Sequence, residues 1–148
     1  MSTLFLTIRE SVRYRGRSGH YSWLAHRISG LAILSFLLIH VWDTANATFA
    51  PDVYRWSIDV FKYPPFAVGE IALMAAVLYH AFNGIRITVL DFKPELWKHQ
   101  AQSATITWGL FLIVFIPIGI FMFMTFIGHC RELGDACWVF PRLSDYLK

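Results

Sequence analysis

Charge is what this sequence has least of. Asp, Glu, Lys and Arg make up 16% of its 148 residues, where soluble domains carry about 25%. So few charges cannot cover the water-exposed surface of a chain this short. They are also too few to keep a disordered chain open or to flank the seam of a coiled coil. Cysteine is nearly missing: the two present, Cys130 and Cys137, cannot make a secreted disulfide scaffold or ligate an iron–sulfur cluster. A Gly-X-Gly-X-X-Gly fingerprint is absent as well, so a dinucleotide fold is excluded. Apolar residues are plentiful instead, at 56% hydrophobic and 17% aromatic with six Trp, six Tyr and thirteen Phe. The mean hydropathy of +0.48 agrees, and the balance points to a protein of the bilayer.

The cations confirm that direction once they are located. A net charge of +3 and a pI near 9.0 would suit nucleic acid if the basic residues formed a patch, but they lie beside hydrophobic segments. Arg9, Arg13, Arg15, Arg17 and Arg27 crowd the N-terminal end with only Glu10 opposing them, as in a segment held on the cytoplasmic face. Nucleic-acid binding is therefore not expected.

Three apolar stretches are long enough to span, at approximately residues 23–44, 66–90 and 104–128, since roughly 20 helical residues cross a hydrocarbon core of about 30 Å. The third is the cleanest, with no Asp, Glu, Lys or Arg between His99 and Cys130. Prolines and mixed charge from Phe49 to Pro65 read as the first connector, and Asp91-Phe92-Lys93-Pro94-Glu95 as the second, with the helix ending by about Lys93. Eight basic residues fall on the N-terminal side of the membrane (Arg9, Arg13, Arg15, Arg17, Arg27, Arg86, Lys93, Lys98) against five on the other (Arg55, Lys62, Arg131, Arg142, Lys148). The bias predicts a cytoplasmic N-terminus and an outside C-terminus. The apolar run from Leu4 to Ile8 is too short for a cleaved signal peptide. The expectation is an all-α, multi-pass protein of the inner (plasma) membrane, one domain over residues 1–148, with three transmembrane helices and no internal repeat.

Polar residues inside spans are costly and need a reason. The first two spans hold His26, Arg27, His40, Glu70, His80 and Arg86. At helical spacing His26, Gly30, Ile33, Leu37 and His40 share one face of the first span, and Ala76, His80, Gly84 and Thr88 share one of the second. A histidine followed one turn later by glycine sets an imidazole beside a notch where a flat group can approach the backbone, as axial ligation of haem requires. Spacing alone leaves this open against interhelical packing or a polar bridge. Covalent c-type attachment is excluded, because no Cys-X-X-Cys-His occurs. His40 lies fourteen residues beyond His26, or about 21 Å along the axis. It is therefore too far in depth from His80 to share one iron with it, and is either the ligand of a second haem or a structural residue.

His26-Arg27-Ile28-Ser29-Gly30, and His80-Ala81-Phe82-Asn83-Gly84-Ile85-Arg86 followed by Asp91, resemble the two signatures of the larger cytochrome b membrane-anchor subunit of succinate dehydrogenase. The resemblance covers roughly residues 20–125 and is greatest to actinobacterial-type members, through Trp23 to Gly30 and the later His40-Val41-Trp42-Asp43. It implies half of a haem-binding anchor bundle, with His80 as axial ligand to haem b and the other ligand on a second, smaller anchor subunit. It implies Arg27 near the quinone site and the haem propionates, His26 and Arg86 at propionates, and Asp91 near the proton entry. The quinone-site serine expected three residues before His26 is replaced by Trp23, so that role stays open between Ser22 and Ser29. One or two haems are both compatible with the family, and menaquinone is favoured over ubiquinone.

Succinate oxidation is not expected of this chain itself; flavin and iron–sulfur clusters belong to a flavoprotein and an iron–sulfur subunit docked on the cytoplasmic face. The rival expectation is a non-catalytic membrane scaffold or transporter component that uses its histidines for packing or proton relay. Cys130 and Cys137, with six residues between them, are either a disulfide closing a short loop or two free thiols.

Overall fold

The structure is a computed structural model that describes residues 18–147; the arginines at 9, 13, 15 and 17, the run from Leu4 to Ile8, and Lys148 lie outside the described residues. Among these residues the chain is helical and has no strand. Helix α1 is Ser18–Phe49, α2 is Pro51–Phe61, α3 is Pro64–Phe92 and α4 is Gln100–Leu133. A 3-10 segment, Pro94–His99, joins α3 to α4, and two more, Gly134–Trp138 and Leu143–Asp145, follow α4.

The three long helices run about 48, 44 and 51 Å at 1.5 Å per residue. Each contains one expected span and overshoots it at both ends, so the helical ends reach through the headgroup layers. Proline sets several boundaries. Pro51 and Pro64 open α2 and α3 at positions where the missing N–H would be unpaired in any case. Lys93 closes α3 by donating its N–H to Val89 O at 3.0 Å, and Pro94 prevents continuation. Pro117, inside α4, removes the donor for the Ile113 carbonyl, an interruption that membrane helices tolerate.

The first connector differs from its expectation: it is mostly the eleven-residue helix α2. Pro51 starts it, Asp52 sits at its positive N-terminal end, and Val53, Trp56, Ser57 and Val60 fall on one face. Ser57 and Val60 are buried on that face, and the Ser57 hydroxyl donates to the buried carboxylate of Asp43 on α1.

Helix α3 is central, packed against α1 on one side and α4 on the other. Tyr79 marks the core. Its ring lies 4.5 Å from Trp108 and 5.7 Å from Phe111, and its hydroxyl donates to Ser22 O at 3.2 Å. Few other apolar side chains are buried; Leu38, Ile113 and Phe121 are 68%, 70% and 72% exposed. Such a surface would aggregate in water but matches lipid.

The end opposite the start of α1 is closed by a clasp. Cys130 and Cys137 form a disulfide. The Trp56 indole donates to Pro141 O at 3.0 Å, the Tyr146 hydroxyl to Asp59 at 2.7 Å, and Phe140 packs edge-on against Tyr63. Lys93 and Lys98 lie in the connector at the other end.

Candidate functional site

Helices α1 and α3 meet at two histidines. The rings of His26 and His80 stack with centroids 3.9 Å apart and planes 8° from parallel. Each ring lies over the glycine one turn beyond its partner. A Cβ on Gly30 would come 2.9 Å from His80 Cε1, and one on Gly84 would come 3.7 Å from His26 Cε1. The two notches therefore form one cradle. At Gly30 a Cβ would force the His80 ring to shift.

The carbonyl beside His80 favours one tautomer. Nδ1 lies 3.1 Å from the carbonyl oxygen of His26 and 3.1 Å from Ser29 Oγ. A carbonyl can only accept, so Nδ1 carries the proton and Nε2 keeps an unshared lone pair. His26 Nδ1 is buried without a hydrogen-bond partner, which costs free energy unless a further group satisfies it.

Arg86 has partners within the chain. Its guanidinium donates to Ser103 Oγ at 2.9 Å, Asn83 Oδ1 at 3.1 Å and Gln100 O at 3.0 Å, stapling α3 to the start of α4. Asn83 is fully buried and also reaches Ser22 O at 3.4 Å. Asn83, Tyr79 and Ser103 were not singled out by sequence reasoning. Asn83 stands inside the second quoted segment, but nothing local signals the staple to Ser103.

Arg27 is exposed and holds its guanidinium 4.1 Å over the Trp23 ring, a cation–π contact on its own helix. Ser22, five residues before Arg27, is buried against Tyr79 and Asn83 of α3. Asp91 is exposed at the C-terminal end of α3. Antiparallel packing puts Arg27, Ser22, Arg86 and Asp91 toward the end of the bundle where α1 begins. His40 is not part of this cluster: it is exposed and stacks on Phe36 of its own helix at 5.4 Å.

No three His, Cys, Asp or Glu side chains converge among the described residues, so a bare metal ion lacks a ligand set there. An iron held by a macrocycle needs only an axial ligand from the chain. His80, whose Nε2 is left free by the contacts of Nδ1, and the orphaned buried nitrogen of His26 beside it fit that requirement, while the space over Gly30 and Gly84 is taken by the two imidazoles.

The chain is thus a multi-pass membrane protein of three long helices with a histidine pair between the first two. Residues 8–130 match the family described as succinate dehydrogenase/fumarate reductase transmembrane subunit, and the chain belongs to that family. It is 38% identical over 118 residues to the succinate dehydrogenase 2 membrane subunit SdhC of Mycobacterium tuberculosis, covering 80% of this chain and 87% of that one. It is 31% identical over 94 residues to a succinate dehydrogenase hydrophobic membrane anchor subunit of Archaeoglobus fulgidus, covering 64% and 80%. Its kind is the SdhC-type, actinobacterial-like membrane anchor of succinate dehydrogenase.

Proposed function

We propose that this chain holds haem b and helps form the quinone site of a succinate:quinone oxidoreductase, accepting electrons from an iron–sulfur subunit. The observation that carries the reading is His80, whose Nδ1 is tied to α1 while Nε2 keeps its lone pair beside Gly30. His80 would ligate the iron from one side, and a second anchor subunit would supply the other ligand. Haem b, when bound, supplies a one-electron centre within the bilayer. His26, with its orphaned Nδ1, would meet a propionate.

Arg27 is suited to the quinone. It lies near the membrane boundary, where a guanidinium can stay hydrated and still reach an anionic or carbonyl oxygen. Ser22 and Asp91 lie toward the same end, where a carboxylate can pass protons inward. Menaquinone remains the favoured substrate on the actinobacterial likeness. Succinate oxidation belongs to a flavoprotein subunit, and the positive-inside rule puts it and the iron–sulfur subunit at the end where α1 begins.

His80→Ala in the assembled complex tests this reading. Its haem should be lost or spectrally altered, while succinate oxidation by an artificial dye persists because that step occurs elsewhere. An unaltered bis-histidine haem spectrum would remove His80 from the site.

A further inference from the structure

Ser29 has more than one demand on its hydroxyl. The side chain is buried, with 5% of its surface exposed, and Oγ donates to His26 O at 2.9 Å. That bond uses its only hydrogen. Toward His80 Nδ1, 3.1 Å away, the oxygen can therefore only accept. His80 thus shares one N–H between two acceptors a turn apart on α1, the Ser29 hydroxyl and the His26 carbonyl.

We propose that Ser29 is a positioning residue for the haem ligand: its hydroxyl accepts from His80 Nδ1–H, fixes the ring plane over Gly30 and strengthens Nε2 as a donor to iron. The proposal rests on the reading of His80 as axial ligand and deepens it. A hydrogen bond from the far nitrogen makes an imidazole more electron-rich, and such outer partners tune both ligand orientation and metal potential. Adjacent residues divide the work. Ser29 holds the edge of the ring, and Gly30 removes the Cβ that would collide with it.

The same geometry separates Ser29 from the quinone. Its hydrogen is committed to His26 O, so no donor remains for a quinone carbonyl.

The test compares the assembled wild-type complex with Ser29→Ala and Ser29→Thr. Haem content, the equilibrium midpoint potential of the haem, the KM for quinone and dye-linked succinate oxidation as an assembly control are measured for each. Ser29→Ala should keep its haem with the midpoint potential shifted upward, because losing one acceptor leaves the ligand a weaker donor and favours ferrous iron. Ser29→Thr, which retains the hydroxyl, should return the potential toward wild type, and the quinone KM should not move. Haem loss in Ser29→Ala that Ser29→Thr restores would also support the role. A wild-type potential and spectrum in Ser29→Ala would overturn it. So would a raised quinone KM at unchanged potential, or equal haem loss in both variants, which would indicate packing alone. A wild-type complex without haem would remove the reading of His80 itself, and the role of Ser29 with it.

Discussion

Two arginines that look alike in the sequence make different contacts. Arg27 and Arg86 each follow a motif histidine in a membrane span, and the resemblance associates both with propionates. In the structure Arg86 spends its donors on Ser103, Asn83 and Gln100, whereas Arg27 lies exposed over Trp23. Arg27→Leu should lower quinone reduction about tenfold or more, the scale of one lost charge-assisted hydrogen bond. Dye-linked succinate oxidation by the same complex should stay near wild type; parallel loss of both activities would instead mark failed assembly. That each histidine shares a helix face with a glycine one turn on was legible, because helical spacing is a local property. The partners of Arg86 were not, since Ser103 is seventeen residues away and becomes a neighbour only when α4 folds back. The stacking of His26 on His80 was illegible for the same reason.

Among the elements, the three long helices were readable from uninterrupted apolar length, while α2 was not. Its eleven residues carry Asp52, Arg55 and Asp59 among the apolar ones, and the surrounding prolines resemble those of a loop. Its burial depends on α1 and the C-terminal tail, which no local pattern reveals. The disulfide was likewise undecided by spacing; packing of the tail beneath α4 brings Cys130 and Cys137 together. Intact-mass analysis without reductant should show the subunit two hydrogens light, and rapid alkylation of both thiols would refute the bridge. The clasp also predicts a pH dependence. Hydrogen bonds from Lys62, first, and from Tyr146 hold the Asp59 carboxyl below its ordinary range, so this contribution is present above the unfolded value and is lost as pH falls through the folded one. The Asp59 carboxylate holds the Tyr146 phenol above its ordinary range, so that contribution is present below the unfolded value and lost as pH rises through the folded one. Hydrogen-exchange protection in residues 139–147, the observed rate set against the intrinsic rate at each pH, should therefore be greatest between about pH 4 and 10 and fall beyond both limits. A flat profile through the acid limb would contradict the role of Asp59.

As a whole molecule, the subunit is a sparse bundle whose apolar surface exceeds its core, as expected of one part of a membrane assembly. His40 and Glu70 are exposed on the spans, and a charged or polar group there calls for a protein neighbour or the interface, so they are candidates for contact with another subunit. Depth separates His40 from the His80 site by about 21 Å along α1. The central claim is that this anchor carries a haem that receives electrons derived from succinate. The succinate-reduced minus oxidised absorption spectrum of the purified complex tests it most directly, read alongside the His40→Ala complex. A b-type alpha and Soret band that succinate develops, and that survives in His40→Ala, is the predicted result. A complex with all subunits present and no such band would contradict the account.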